Sequence, residues 1–294
     1  MENCPYVKLN NGNEMPVIGM GTFSLADNSG DMQAAVDAAI DIGYRLFDTA
    51  AIYGVEKILG EAIRNNGIPR EELFISNKLK NGHHRYEDAL AEFDKSIKAL
   101  GVDYLDLFLI HNPCPEHGLY KEAWKALEHL YKEGYAKNIG ISNFYVHHLE
   151  DLLPTCEIMP AIDQFECNPY ITMAPLREYL KEKGIQAEAW FSLGGPAVKD
   201  TPVADPNVDI MTDKVVASIA DKYERSHAQI LLRWGIQSGA IVIPKSSKPE
   251  RMRQNFNIFD FIISDEDMRK MDDLNFDYHV VPWLSGDANN QYWD

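Results

Sequence analysis

Hydrophobic residues along the chain fall into short apolar runs that alternate with longer amphipathic stretches. Short apolar runs are typical of buried strands, and amphipathic stretches of this length are typical of helices. The pattern predicts strands over residues 17–21, 44–49, 73–79, 104–111, 136–142, 161–166, 185–190 and 240–245. Strands that alternate with helices in this way indicate repeated βα units and a parallel sheet.

The amphipathic stretches that end in glycine, the usual C-terminal stop of a helix, cover residues 31–43, 55–67, 87–101 and 121–134. A further helix is predicted over Ser264–Asn275, followed by an irregular tail. At the other end of the chain, residues 6–21 alternate between polar and apolar positions around Asn11-Gly12-Asn13. This arrangement predicts an opening β-hairpin that caps one end of the fold.

Eight successive strand–helix units within 294 residues favour a closed (β/α)8 barrel, or TIM barrel, over an open sheet. Periodicity alone also permits a doubly wound sheet, but the glycine-rich dinucleotide fingerprint is missing after the first strand. The sequence has no low-complexity tract, flexible linker or short repeat. We therefore interpret residues 1–294 as one domain.

The charge balance is strongly acidic, with a formal net charge of -17 and a pI near 4.9. Such a chain repels nucleic acid and anionic membrane surfaces. The first residues resemble no secretory signal, and no apolar run approaches the roughly 18 residues of a membrane span, so we expect a cytoplasmic protein. The four cysteines lack the spacing of zinc or redox motifs and are interpreted as reduced thiols.

Chemically active side chains stand at or just beyond the C-terminal ends of successive predicted strands. In a barrel those ends converge on one face, where active sites lie. We therefore expect one site that includes Asp48, Lys78, His111, Ser142, Gln164, Trp190 and Lys245.

Four of the residues near this face have the chemistry that carbonyl reduction needs. Tyr53 can deliver a proton as charge develops on the carbonyl oxygen, and the Lys78 ammonium is expected to lower the Tyr53 pKa. Asp48 can hold Lys78 as an ion pair, and His111 can orient the substrate oxygen. Taken singly, each residue could equally be a rim salt bridge, a packed tyrosine or a hydrogen-bonded histidine.

Six segments, GYRLFDTAAIYG, NKLK, LIHNP, GISNF, DQFECNPY and IPKSSKPERMRQN, resemble the aldo-keto reductase family in order and spacing. One such segment would be weak evidence, but six in register are specific. The resemblance extends from GMGTF to the last predicted helix. It implies a (β/α)8 fold, carbonyl reduction with NADPH, and a catalytic tetrad of Asp48, Tyr53, Lys78 and His111. By analogy it also implies a monomer or weak dimer.

The resemblance assigns further residues to the cofactor, NADPH or NADP+. Ser142, Asn143 and Gln164 would bind the nicotinamide carboxamide, and Trp190 would stack on its ring. In the cationic segment, which we define as residues 245–253, Lys245, Ser246 and Arg251 would bind the 2′-phosphate at a predicted helix start. The remaining positions assigned to the cofactor are Asn255, which would meet adenine, together with Thr22 and Leu193.

The substrate pocket departs most from the family pattern. By resemblance its walls include Phe23, Asn112, Trp190 and Trp283. Asn112 replaces the tryptophan of the common LIHWP, which indicates a more polar or wider pocket. AWFSLG replaces AYSPLG at residues 189–194, and Asn168 replaces a common histidine.

Other functions stay open at this stage. The same site could oxidise a sugar or hydroxysteroid, or the chain could be a nucleotide-sensing regulatory subunit. A lyase or aldolase would use Lys78 as a Schiff-base amine. We expect no metal site: the adjacent pairs His83-His84 and His147-His148 are interpreted as surface residues, and Cys114 as an ordinary thiol.

Overall fold

A single parallel sheet of eight strands forms the centre of the residues that the computed structural model describes, 4–25, 29–114, 118–194, 205 and 207–280. Consecutive strands are neighbours throughout the sheet. The Val242 amide donates to the Val17 carbonyl at 3.1 Å, and Ile18 bridges Val242, so the last strand meets the first and closes a barrel. The eight strands are β3 (Gly19–Gly21), β4 (Leu46–Asp48), β5 (Phe74–Leu79), β6 (Leu107–Ile110), β7 (Ile139–Ser142), β8 (Ile162–Glu166), β9 (Gln186–Trp190) and β10 (Ala240–Val242).

Helices on the outside connect these strands, as the sequence pattern predicts. They are α1 (Ser29–Ile42), α2 (Glu56–Asn66), α3 (Tyr86–Leu100), α4 (Tyr120–Lys132), α5 (Val146–Leu152), α6 (Ala174–Lys183), α7 (Lys214–Tyr223), α8 (His227–Gln237), α9 (Pro249–Phe256) and α10 (Asp265–Asp272). Glycine stops are visible where they were expected: Gly101, at φ 66°, ends α3, and its N–H donates to the Ile97 carbonyl at 2.8 Å. Within the described residues no helix is long and apolar enough to cross a membrane.

The alternation of side chains along the strands separates two apolar cores. Leu46, Leu107 and Ile241 belong to a cluster inside the barrel, whereas Phe47 and Phe108 belong to the larger cluster between the sheet and the helices. Because successive residues of a strand face opposite sides, this assignment also fixes the direction of the polar residues at the strand ends.

A β-hairpin closes the N-terminal end of the barrel. β1 (Tyr6–Lys8) pairs antiparallel with β2 (Glu14–Pro16). Leu9 and Met15 pack into the interior cluster, and the turn is tied to the barrel where Asn10 donates to the Pro160 carbonyl at 2.7 Å and Asn11 to Asn138 Oδ1 at 2.8 Å. The predicted hairpin cap and barrel are thus confirmed.

Candidate active site

The innermost polar layer lies at the C-terminal end of the barrel and consists of four buried side chains. Asp48 ends β4, Lys78 is on β5, Gln164 is on β8 and Glu188 is on β9. Each has an exposed fraction of at most 2%. Apart from the buried Ser76 on β5, the barrel interior below this layer is apolar, so the charges of the layer are met by one another.

Lys78 is held by three acceptors. Its Nζ donates to Asp48 Oδ1 at 2.8 Å, to Asp48 Oδ2 at 2.7 Å and to the Thr49 carbonyl at 3.0 Å. Burial by itself lowers the pKa of Lys78, but Asp48 and Tyr53 together raise it above its ordinary value. An ammonium has three N–H donors, and here it is surrounded by these three acceptor atoms with Tyr53 close by. Lys78 is therefore a charged group that is held in place.

Tyr53 stands directly above this ion pair. It closes the 3-10 turn Ala51–Tyr53 that follows β4, and Lys78 Nζ lies 5.4 Å from the centroid of its ring. Burial raises the pKa of Tyr53, and the Lys78 ammonium offsets only part of that rise. The expected lowering of the Tyr53 pKa is therefore wrong, because desolvation of the phenolate outweighs one neighbouring cation.

His111 follows β6 and contacts Tyr53 edge to face, with ring centroids 5.8 Å apart. Burial, with the charge of Lys78 adding to it, lowers the His111 pKa to about 3. The imidazole is consequently neutral at pH 7. A neutral imidazole carries one N–H donor and can present it to a carbonyl oxygen without bringing a second positive charge beside Lys78.

A set of amide and hydroxyl groups spans the ends of β7, β8 and β9. Ser142 Oγ donates to the main-chain carbonyl of Gln164 at 2.7 Å. Asn143, in the left-handed region at φ 62°, donates from Nδ2 to the His111 carbonyl at 2.9 Å and accepts from Trp190 Nε1 at 3.0 Å. Asn143 therefore connects His111, directly after β6, with Trp190, at the end of β9.

Gln164 and Glu188 are connected through one amide. Gln164 Nε2 donates to Asp48 Oδ1 at 3.0 Å and to Glu188 Oε2 at 2.8 Å. Glu188 was not expected from the sequence, although a signal was present: an acidic residue lies within the strand predicted over residues 185–190, two residues before Trp190.

Two further positions assigned to the cofactor, Thr22 and Leu193, lie next to the polar layer. Thr22 is buried, and its Oγ1 donates to the Asp48 carbonyl at 2.9 Å, which fastens the segment after β3 to β4. Leu193 is partly buried against the outer core. Neither side chain belongs to the polar layer itself.

The cationic segment leads from β10 into α9. Lys245 and Arg251 are exposed, Ser246 is buried, and Ser246 Oγ accepts from the Lys248 amide at 3.1 Å. No side chain caps the first turn of α9. Within the described part of the chain, no carboxylate lies within ion-pair distance of Lys245 or Arg251. Asn255 is buried in the last turn of α9.

Of the predicted pocket walls, Phe23 is the most clearly placed. It is 39% exposed, and its ring centroid lies 4.9 Å from that of Tyr53. Asn112 is only 2% exposed; its carbonyl bonds His84 Nε2 at 2.8 Å, and its Nδ2 has no partner in the described residues. Trp283 lies outside the described residues.

The altered AWFSLG loop has its own support. Phe191 has a φ of 51°, and the Gly194 amide donates to its carbonyl at 2.7 Å. Asn168 Nδ2 donates to the same carbonyl at 3.3 Å, and its Oδ1 accepts from the Tyr170 amide at 2.9 Å. Asn168 thus holds the loop that follows Trp190, a role that its place in the sequence did not reveal.

Two of the four paired histidines are not surface residues, contrary to expectation. His84 and His148 are buried. His148 Nδ1 accepts from the Tyr145 amide at 3.1 Å and so caps α5, while His84 bonds the loop after His111. In each pair one imidazole is buried and bonds a backbone group, and the rings of His147 and His148 also contact each other, with centroids 3.9 Å apart. Among the described residues, no group of three or more His, Cys, Asp or Glu side chains is arranged to hold a metal ion.

Comparisons with known proteins identify the family of the chain. A sequence model of the Aldo/keto reductase family matches residues 17–275. The chain is 46% identical over 276 residues to glyoxal reductase of Bacillus subtilis, covering 94% of this chain and 95% of that protein. It is 39% identical over 280 residues to morphine 6-dehydrogenase of Pseudomonas putida, covering 95% and 94%.

Solved structures lead to the same group. A Bombyx mori aldo-keto reductase in complex with NADP is 34% identical, with a TM-score of 0.88 and coverage of 96% of each chain. An aldo/keto reductase of Brucella melitensis is 40% identical, with a TM-score of 0.84, and the match covers 92% of this chain and 100% of that one. Both the sequence relatives and the structural neighbours extend over nearly the whole chain. The chain therefore belongs to the aldo/keto reductase family.

Proposed function

We propose that this protein uses NADPH to reduce an aldehyde or ketone to an alcohol, with Tyr53 as the proton donor. The observation that carries the proposal is the buried Lys78–Asp48 pair directly below Tyr53, with the neutral His111 beside it. An acid, a cation that stabilises its conjugate base, and a neutral donor for the substrate oxygen are the groups that this reaction requires.

The polar groups at the rim fit the proposed cofactor. NADPH, when bound, supplies the hydride that adds to the carbonyl carbon. The exposed Lys245 and Arg251, beside an α9 start that no side chain caps, suit the 2′-phosphate, and the Trp190 ring offers an aromatic face. The NADP complex of the silkworm relative supports this choice of cofactor.

Each tetrad residue has a separate task in this proposal. Because burial raises its pKa, Tyr53 carries a proton at neutral pH and can give it to the carbonyl oxygen. The phenolate that this leaves is stabilised by the Lys78 ammonium, which Asp48 keeps charged and in place. His111 donates a hydrogen bond that orients the carbonyl oxygen toward the Tyr53 hydroxyl.

The geometry weakens the alternative of a Schiff-base lyase. A lysine nucleophile needs a free lone pair and a lowered pKa. Lys78 is paired with Asp48, donates to the Thr49 carbonyl and has a raised pKa, so its amine is protonated. The names of the relatives, a glyoxal reductase and a morphine 6-dehydrogenase, support carbonyl reduction and its reverse rather than carbon–carbon cleavage.

The test compares the wild type with Tyr53→Phe. NADPH oxidation is followed by absorbance against glyoxal, other aldehydes, ketones, sugars and steroids, and the Kd for NADPH is measured separately by fluorescence. We expect Tyr53→Phe to lose roughly 100-fold to 10,000-fold in kcat, the usual contribution of a general acid. The Kd for NADPH should change little, because the substitution removes one hydroxyl and keeps the ring.

Two results would contradict the proposal. If Tyr53→Phe reduced carbonyls as fast as the wild type, Tyr53 would not be the acid. If the wild type bound NADPH tightly and reduced nothing in the panel, a nucleotide-sensing role would replace catalysis.

A further inference from the structure

Glu188 is the one acidic side chain of the polar layer that has no cation of its own. It is fully buried, and among the described residues its only hydrogen-bond partner is the Gln164 amide, which contacts Oε2; Oε1 has none. The nearby cation, Lys78, donates to Asp48 and Thr49, and among the described residues it makes no hydrogen bond or ion pair with Glu188. An ionised Glu188 would therefore be a second negative charge beside a single positive one.

This arrangement favours the protonated form of Glu188. A buried charge without a partner costs several kilocalories per mole, whereas a neutral carboxylic acid that accepts one hydrogen bond costs far less. Burial, followed by the charge of Asp48, raises the pKa of Glu188 to about 8. The geometry and the pKa agree that the carboxyl group is mostly neutral at pH 7.

Glu188 also determines which atom of Gln164 is free. The two amide hydrogens on Nε2 go to Asp48 and Glu188, so the Gln164 carbonyl oxygen, Oε1, points away from both carboxyl groups. No donor in the described part of the chain bonds Oε1. With Glu188 removed, the amide would keep one partner and could rotate about its last torsion.

We propose that neutral Glu188 is a positioning residue, which fixes the Gln164 amide so that Gln164 Oε1 accepts from the nicotinamide carboxamide. Ionisation of Glu188 then shifts the preference of the site from NADPH toward NADP+. This inference rests on the proposed use of NADPH and deepens it. The second part follows from charge: the oxidised nicotinamide ring is cationic and the reduced ring is neutral, so an anion at Glu188 attracts only the oxidised form.

The ratio of the two dissociation constants isolates this effect. The groups that face Glu188 are Gln164 from β8, Asp48 from β4 and Lys78 from β5, with Tyr53 above them; its neighbour on β10, Ile241, is apolar. Lys78 and Tyr53 have raised pKa values, and the pKa of His111 is about 3. Lys245 and the 2′-phosphate titrate alike for NADPH and NADP+, so their contributions cancel in the ratio.

The experiment measures the Kd of NADPH and of NADP+ by fluorescence from about pH 6 to about pH 9.5, the range in which a carboxyl group with a strongly raised pKa titrates. In the wild type we expect Kd(NADPH)/Kd(NADP+) to rise by about tenfold across this range, the size of one charge pair in a partly buried site. Glu188→Gln, which keeps an acceptor for Gln164 and cannot ionise, should give a flat ratio and an NADPH Kd at pH 7 within about threefold of the wild type.

Two further variants complete the test. Glu188→Ala removes the acceptor and should weaken NADPH binding at pH 7 by about tenfold, the value of one lost buried hydrogen bond. Asp163→Asn is the matched control: Asp163 is also fully buried with a raised pKa, but it precedes Gln164 on β8 and so faces away from the barrel interior. Its ratio should keep the pH dependence of the wild type.

The outcomes separate this inference from the proposed function. A pH-dependent ratio that survives in Glu188→Gln, or a loss of more than about tenfold in NADPH affinity in that variant at pH 7, would overturn it. Unchanged binding in Glu188→Ala would overturn the positioning role; should Glu188→Ala not fold, Glu188→Gln carries the test alone. Because only binding is measured, failure of the wild type to reduce any carbonyl would contradict the proposed function and leave this result standing.

Discussion

Burial raises the pKa of Tyr53 and the ammonium of Lys78 lowers it, and the effect of burial is the larger. For the proton-donor role that we propose for Tyr53 this is the useful outcome, because a general acid must hold its proton until the substrate oxygen becomes basic. In that role the ammonium would act later, when the proton has left and a phenolate remains. A cation that stabilises the product state of the acid contributes to catalysis without making the acid ionised at rest.

Trp190 combines a flat surface with a hydrogen bond, and Trp190→Phe separates the two. The substitution keeps an aromatic face and removes the N–H that bonds Asn143 Oδ1 at 3.0 Å. Asn143 then loses one of the contacts that hold it in its uncommon conformation with a positive φ. We expect the Kd for NADPH, measured by fluorescence, to rise about fivefold, because one neutral hydrogen bond contributes about 1 kcal/mol.

Trp124→Phe provides the control for that substitution. Trp124 makes the same kind of bond, from Nε1 to Glu128 Oε1 at 3.1 Å, but does so within α4 on the outside of the barrel. Its variant should bind NADPH as the wild type does. Equal affinities for all three proteins would show that the indole N–H of Trp190 has no part in the cofactor site.

At the residue scale, the sequence predicted which side chains meet, but it did not predict their burial or the direction of their pKa shifts. Asp48, Lys78 and His111 were placed together because the ends of parallel strands converge in a barrel. The direction of the Tyr53 pKa shift and the burial of His84 depend on every atom packed around them, which no local pattern contains. For Glu188 the sequence does hold a signal, an acidic residue within a predicted strand, but its bond to Gln164 on the neighbouring strand is visible only in the fold.

At the scale of elements, α9 places the exposed charges of the cationic segment at the start of a helix. Its first turn has no side-chain cap, and Arg251 stands exposed in that turn. The amide N–H groups of an open first turn and a nearby guanidinium both favour a phosphate. A pattern of charges alone equally fits a solvated helix start; the open first turn after β10, at the same end of the barrel as Lys78, favours the functional interpretation.

Arg251→Ala should therefore change cofactor preference. We expect kcat/KM for NADPH to fall by about 10-fold to 100-fold, the value of a charge-assisted hydrogen bond, while kcat/KM for NADH stays nearly constant. Arg253→Ala is the control, because a residue two positions along a helix faces nearly the opposite side. Steady-state kinetics with both cofactors measures the preference. An unchanged preference in Arg251→Ala would remove Arg251 from the 2′-phosphate site.

Element boundaries were less predictable than element order. The apolar run at residues 104–111 predicts a longer strand than β6, which covers only Leu107–Ile110. Leu107–Ile110 are the residues of this run that pair in the ladders with β5 and β7, and Leu105 makes only an isolated bridge to Ala136. Likewise the helix predicted over Ser264–Asn275 is α10, Asp265–Asp272, with Ser264 as its N-cap accepting from the Asp267 amide.

Across the whole molecule, the β-hairpin and the polar layer lie at opposite ends of the barrel. The hairpin of β1 and β2 fills the N-terminal end with Leu9 and Met15, while the polar layer occupies the C-terminal end. Between them lies an apolar interior that includes Leu46 and Leu109. Because the interior is close-packed, a change at the closed end should alter the free energy of unfolding without changing the geometry around Tyr53.

Met15→Ala tests this separation. Met15 is fully buried in the interior cluster, so its truncation removes apolar contacts and leaves a cavity, and we expect the free energy of unfolding to fall by about 2 to 4 kcal/mol in urea titrations. The kcat/KM of the folded protein with NADPH should stay within about twofold of the wild type, because catalytic geometry depends on the opposite end. Lys8→Ala, an exposed position in β1, should change stability by less than about 0.5 kcal/mol. A parallel fall of kcat/KM and stability in Met15→Ala would mean that the hairpin and the polar layer are coupled through the barrel interior, and that the two ends are not independent.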